Sequence, residues 1–491
     1  MNPSGKRKFN KYSLLLIPAL ALFIVALVLF LRGMDAQKDN VSVRGRFQAR
    51  TAEMRQRLNE EAEEEKRSAA EKAAENARLQ REAAAQSKLV RQSLVTPVGG
   101  GNDEVTVLVY LNGSNLETYS GFASEDIAEM LEAQSSDKLH ILIQTMGTME
   151  WWDQRISSDH AQRFEIKDNE LQLVDDSLPQ LDCTDPQTLL DFLTWGGERY
   201  RSDRYFLVMW DHGAGSVDGF GYDEWQDMDA SLTIDEMVQA LYMSGLKFDF
   251  IGMDACIMSS IEVCYALYDY CDYCVLSEDF ESALGWSYTG WLNALAQNTS
   301  IDTPSLAKII IDDMVNYNAV DYFGSSSTLA LIDERYIPAA FDAWINFAYA
   351  NEESLLAVNY SREVERSGRA HPKVSSDLAN YYITDMLALT VSISSPLTKS
   401  MVSKLADCVA YYNCSFDNTG LTGLSVTLPY GDNEFYESLG RVFAGIGIDK
   451  RYIQWLGNFQ TQAAADNYYD YYEFDNEWEG WDDFEYEDDW D

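Results

Sequence analysis

Two apolar runs constrain the fold of this 491-residue chain more than any other feature. They are Tyr205–Trp210 and Phe248–Met253, and each reads as a short buried strand. Each run ends in a reactive side chain: Asp211-His212-Gly213 follows the first, Asp254-Ala255-Cys256 the second. In an open α/β sheet, chemistry sits just past the carboxyl ends of the strands. If the two strands are parallel neighbours, the His212 imidazole and the Cys256 thiol meet at one sheet edge. A thiol with an adjacent base is the minimum apparatus for nucleophilic catalysis.

The pattern repeats around these runs. Val105–Leu111, His140–Thr145 and Tyr273–Leu276 are further strand candidates. Helical periodicity falls between strands at Ala123–Ala133, Pro186–Tyr200, Ile234–Met243 and Ser259–Tyr268. This alternation predicts a doubly wound, mostly parallel sheet with helices on both faces. Arg163–Leu173 breaks the pattern and reads as a β-hairpin. Leu424–Pro429 reads as one late strand.

The globular domain is bounded at 103–460. Before it, a basic segment (1–12) carries Lys6, Arg7, Lys8 and Lys11. The apolar stretch Leu14–Leu31 follows, within an anchor segment 13–32; as a helix it spans roughly 27 Å, about one bilayer core. The positive flank orients the amino end to the cytoplasm and the rest outward. The expectation is a single-pass protein of the cell membrane, its catalytic domain extracellular. A cleaved signal peptide, hence secretion, is the alternative. Residues 33–102 form a linker and stalk; 45–90 are rich in Ala, Glu, Arg, Lys and Gln and predict a solvated helix or loose coiled coil, a route to oligomers. Residues 461–491 read as an acidic-aromatic disordered tail, with thirteen acids, ten aromatics and no Lys or Arg over 466–491.

The formal charge of −43 excludes nucleic acid as a partner. Seven cysteines, an odd and sparse set, exclude a disulfide scaffold. Cys271-x-x-Cys274 suggests a redox or zinc pair, but no second pair with ligand spacing accompanies it, so no metal site is read.

At the strand ends, Gly213 opens a Gly-rich turn and lets the backbone approach a ligand, with its N–H aimed at a substrate carbonyl. Cys256 precedes a helical pattern, Ile257–Glu262, whose dipole would favour the thiolate. The backbone N–H groups of Gly213 and Cys256 together would form an oxyanion hole. Asp254 either caps that helix or faces the groove, where a carboxylate selects a cationic side chain.

Trp210-Asp211-His212-Gly213 and Gly252-Met253-Asp254-Ala255-Cys256 resemble the clostripain-like cysteine peptidases of the caspase-like clan. Tyr110–Glu117, Leu189–Trp195, Ser277-Glu278-Asp279, Gly285–Tyr288 and Gly423–Tyr430 extend the likeness over roughly 103–457. The resemblance implies a caspase-like fold and an endopeptidase cutting after Arg or Lys. It makes Cys256 the nucleophile, His212 its partner and Asp254 part of the specificity pocket. The family's second pocket acid falls on Asp279, with Glu278 and Glu281 as competitors; the usual Pro-Gly element here reads Ser282-Ala283-Leu284. No cofactor is required, although some relatives use Ca²⁺, for which Asp218, Asp223, Glu224, Asp227 and Asp229 are available without calcium-loop spacing. Residues 213–246 contain no Lys or Arg, so an enzyme active without a nick between histidine and cysteine is expected. The competing function is a surface-exposed binding or scaffold protein on a peptidase-like fold, working through stalk and tail. A thiol oxidoreductase built on Cys271 and Cys274 is a third reading.

Overall fold

Period-two alternation within the apolar runs sets the frame. In the computed structural model they become β1 (Val105–Asn112), β2 (Leu139–Met146), β5 (Arg204–Trp210), β6 (Phe248–Asp254) and β7 (Cys271–Leu276). The structure describes residues 94–226, 230–318, 327–357, 382–415, 418, 420–429 and 433–474. Leu108, Tyr110, Leu207, Met209, Ile251 and Met253 enter one core, on one face of the sheet. Their neighbours Val107, Val109, Phe206, Val208 and Phe250 enter the other. Strands apolar on both faces are buried on both.

The helices supply the two covers. Pro186–Arg199 and Ile234–Ser244 pack Leu189, Phe192, Met237 and Leu241 into the first core. Phe122–Glu132, Tyr288–Gln297 and Thr303–Asn318 pack Ile127, Trp291, Ile310 and Met314 into the second. Local signals fix their ends. Asp185 accepts from the Gln187 N–H ahead of a first-turn Pro186, and Thr233 with Glu236 forms a capping box.

The sheet also contains β3 (Gln162–Lys167), β4 (Glu170–Asp175), β8 (Thr328–Asp333) and β10 (Val409–Cys414), in the order β10-β8-β7-β6-β5-β1-β2-β3-β4. β7, β6, β5, β1 and β2 are parallel neighbours. β3 and β4 at one edge, and β8 and β10 at the other, pair antiparallel. The expected mostly parallel sheet is therefore corrected to a mixed one, a parallel centre with an antiparallel pair at each edge. One cause is local: Asp168 and Asn169 hold φ of 53° and 61°, the tight turn that reverses the chain from β3 into β4. The late strand is β11 (Ser425–Thr427), paired with β9 (Ile383–Asp385) in a separate two-stranded sheet.

The chain leaves β1 for β2 on one side and returns to β5 on the other. The strand order thus reverses between β1 and β5, the point where open α/β sheets bind ligands. Below it, Arg204 is buried at the foot of β5. Its Nε donates to Asp249 at 2.6 Å, its Nη1 to the Thr299 and Ile301 carbonyls and its Nη2 to the Thr303 hydroxyl. Arg204→Ala removes the guanidinium from the buried Asp249 and is expected to destabilise the domain by about 3–5 kcal/mol, measured by urea unfolding.

No helix among the described residues is long and apolar enough to cross a membrane. The basic segment 1–12, the anchor 13–32 and the stalk as far as residue 93 lie outside the described residues, as do 475–491 of the tail. Two expected boundaries shift. Residues 94–102 lie against the domain, with the Val95 N–H donating to Asp272 at 2.6 Å. Lys450–Phe474 is one helix, so helix continues into the 461–491 segment read as tail.

Candidate active site

Trp210 of β5 pairs with Asp254 of β6. His212 and Cys256, each two residues further on, therefore leave the sheet level with each other. Gly213 is what allows this approach: a Cβ there would overlap the Cys256 carbonyl oxygen. The two strand-end segments touch through backbone.

His212 is held from outside its own strand. Its Nε2 lies 2.7 Å from the Asn115 Oδ1, so that ring nitrogen carries a hydrogen and donates. Tyr222 stands edge-on, 6.2 Å between ring centroids. Burial lowers the imidazole pKa from its ordinary value, which keeps the ring neutral and able to accept a proton. Asp211 beside it is buried, accepts from the Tyr222 N–H and the Asn112 amide, and is raised by burial to about 7.

The Cys256 side chain meets a different loop. Its Sγ accepts from the Glu281 N–H at 3.3 Å and lies 3.9 Å from the Glu281 carbonyl oxygen. Burial, then the Glu281 charge, push the thiol up to about 12. Among the described residues no hydrogen bond joins Cys256 to His212; each is engaged by its own loop. The expected helix N-terminus at Cys256 is corrected. Cys256 lies in a turn, Ile257 adopts φ 52°, and the helix begins at Ile261 with Ser260 as its cap. The pattern misled because Ile257, Met258 and Ile261 are buried by the core and not by a helix face. A left-handed β-branched residue directly after the nucleophile is strained backbone at the site. No dipole therefore lowers this thiol.

The following helix is capped by Ser260 and not by Asp254, which is buried. It is 5% exposed, and its Oδ2 accepts from the Tyr288 hydroxyl at 2.8 Å and the Trp286 N–H at 3.1 Å. Burial raises it to about 6. The acid that meets it is Glu281, itself held well above the usual carboxylate range by burial and by Asp254. Asp126, bonded by the Trp210 indole N–H at 2.6 Å, is raised by burial and by Asp254. No Lys or Arg among the described residues pairs with this group of carboxyls. Of the acids considered for the second pocket position, Glu281 is the one whose carboxyl hydrogen-bonds Asp254. Asp279 spends an oxygen on the Phe280 N–H, and its carbonyl accepts from the Ile257 N–H. Glu278 is tied to the Gly423 N–H at 2.6 Å. Of the acids considered for Ca²⁺, Asp223 accepts from the Cys183 and Trp225 N–H groups and Glu224 from the Met149 N–H; Asp227 and Asp229 lie outside the described residues.

Asn115 is the residue that sequence reasoning passed over: it stood only within a matching stretch, ninety-seven positions from the imidazole it contacts. Asn115→Ala frees the ring to turn. It is expected to lower kcat about 10-fold with KM little changed, a fraction of what general acid–base catalysis supplies, and Asn115→Gln to recover part of the loss. Steady-state kinetics on a peptide substrate would measure both.

A thiol and an imidazole thus stand at the switch point of a mixed α/β sheet, beside buried carboxyls. The sequence model of the clostripain family matches residues 109–489, and the chain belongs to that family. Solved structures agree on the fold. A secreted C11 cysteine protease from Bacteroides thetaiotaomicron, complexed with an irreversible peptide inhibitor, is 18% identical with a TM-score of 0.51 over 70% of this chain and 99% of its own. An inactive zymogen C11 protease from Parabacteroides distasonis is 20% identical with a TM-score of 0.51, covering 68% of this chain and 97% of its own. No curated protein matches the chain by sequence.

Proposed function

We propose that this cysteine peptidase is an endopeptidase that cuts after Arg or Lys through a Cys256/His212 dyad. One observation supports the specificity: the buried Asp254 carboxyl and a buried carboxyl oxygen of Glu281 lie together beside Cys256, with no Lys or Arg paired to them among the described residues. A guanidinium or ammonium entering there supplies the missing charge, and a two-pronged contact favours Arg.

In the reaction His212 takes the Cys256 proton and the thiolate attacks the carbonyl carbon after the basic residue. The negative oxygen that forms is received by the N–H groups of Gly213 and Cys256. His212 returns the proton to the leaving amine, the peptide bond breaks, and water hydrolyses the remaining thioester. Asn115 holds the ring through these transfers. The resting thiol, clasped by Glu281, must first be released. The chain's own residues suffice for these steps; calcium is proposed to be dispensable, which activity with and without a calcium-selective chelator would check.

Segment 13–32 is proposed to tether the enzyme with its catalytic domain outward, secretion being the alternative outcome of a membrane-fractionation experiment. The specificity is tested with a positional peptide library. Cleavage confined to Arg and Lys before the scissile bond is expected; cleavage indifferent to that position would sink the reading. An Arg-directed thiol-reactive probe that fails to modify Cys256 selectively would instead favour a binding protein on this fold.

A further inference from the structure

Away from the catalytic edge, three chemistry-bearing side chains converge inside the first core. Cys264 lies on the helix Ile261–Leu267, Cys274 on β7, and Glu334 directly after β8. One ligand atom from each lies within 4.8 Å of the other two. All three are buried, the thiols fully and Glu334 to 2% exposure.

We propose that Cys264, Cys274 and Glu334 form a structural binding site for a divalent metal ion of the zinc class. Glu334 carries the argument. Both its carboxylate oxygens are buried with no N–H or O–H partner among the described residues, and the groups they face are the two thiols. A buried carboxyl without cation or donor is unfavourable unless it is neutralised. A divalent ion held by the three would supply that charge, displacing one proton from each thiol and one from the carboxyl.

The donor set selects the ion. Thiolate sulfurs suit zinc-class metals and not calcium or magnesium, which take oxygen ligands. Zn–S bonds of about 2.3 Å in a tetrahedron place sulfurs about 3.7 Å apart. The Cys271 Sγ lies 3.6 Å from that of Cys274, but its thiol turns to the Leu267 carbonyl and it stands outside the group of three. The burial of all three ligands makes the site structural. It ties the helix after the nucleophile turn to the middle of β7 and the end of β8. Spacing alone shows only Cys271-x-x-Cys274; the partners come from a helix ten residues earlier and a strand end sixty residues later.

The test does not depend on peptidase activity. The full chain carrying Cys256→Ala, which removes the catalytic thiol as a rival ligand, is purified without chelator and analysed by plasma mass spectrometry. About one zinc per chain is expected, and cobalt reconstitution should give a thiolate-to-metal charge-transfer band. Cys264→Ser with Cys274→Ser should lose the metal. Glu334→Gln, which preserves the shape of the core, should weaken binding by at least about 10-fold. Should the double variant fail to fold, metal content and the cobalt spectrum of the parent chain decide. Absence of stoichiometric metal overturns the proposal, whether thiol titration in denaturant finds all remaining cysteines free or finds two missing as a Cys271–Cys274 disulfide. So does metal retained unchanged in the double variant.

Discussion

Cys256→Ala is expected to lower kcat/KM for an Arg-containing peptide by at least about 10⁴-fold, with the fold intact. Removing the nucleophile of a covalent mechanism leaves only binding and oxyanion stabilisation to act on water. Among the described residues the thiol's hydrogen bonds are to the Glu281 backbone alone, so losing them costs little stability. Hydrolysis of a fluorogenic peptide and thermal unfolding of the same preparation measure both quantities. A rate within 10-fold of wild type would remove Cys256 from the chemistry. His212→Ala should cost a comparable factor, and the double variant little more, because the two side chains act as one unit.

Asp254→Asn is expected to cost about 10²–10³-fold in kcat/KM on Arg substrates and far less on substrates with a neutral residue there. Truncating one partner of a buried charge pair costs about 2–5 kcal/mol. The same change should stabilise the free protein at alkaline pH. The Asp254 carboxyl stands at about 6 against an ordinary 3.8, raised by burial. Its contribution to stability is full below the ordinary value and is lost as pH climbs from about 4 through about 6. Asn carries no such dependence, so its unfolding free energy should exceed wild type at pH 8 by an amount on the order of 1 kcal/mol, seen as a higher Tm, and the advantage should vanish near pH 4. Catalysis runs the other way, because a cationic side chain needs the ionised pocket. The ratio of kcat/KM for Arg over neutral substrates should therefore rise with pH through about 6. A flat ratio would mean that Asp254 does not read the charge.

What was legible in the sequence was what lies along one strand. The apolar runs of β1, β2, β5, β6 and β7 announce themselves because both faces are buried, and the register of Trp210 with Asp254 follows once they are parallel. The Asp168-Asn169 turn was equally visible, as a polar pair between alternating strands. The edge strands β8 and β10 were not: their partners lie far along the chain and no local signal declares direction. Asn115 reaches His212, and Glu281 reaches both Cys256 and Asp254, only after the sheet has brought three loops together. Ile257 defeated the helix pattern because periodicity reports burial, and a strained turn buries side chains as well as a helix does.

Glu281 binds twice, its amide on the sulfur and its carboxyl on Asp254. On the proposed reading, filling the pocket and uncovering the thiol would for that reason be one event, not two. A small uncharged alkylating agent should then find the resting enzyme sluggish, whereas a reagent bearing a guanidinium should open its own way in. A protease built so would stay quiet among proteins that present no basic residue to it, without a separate inhibitor.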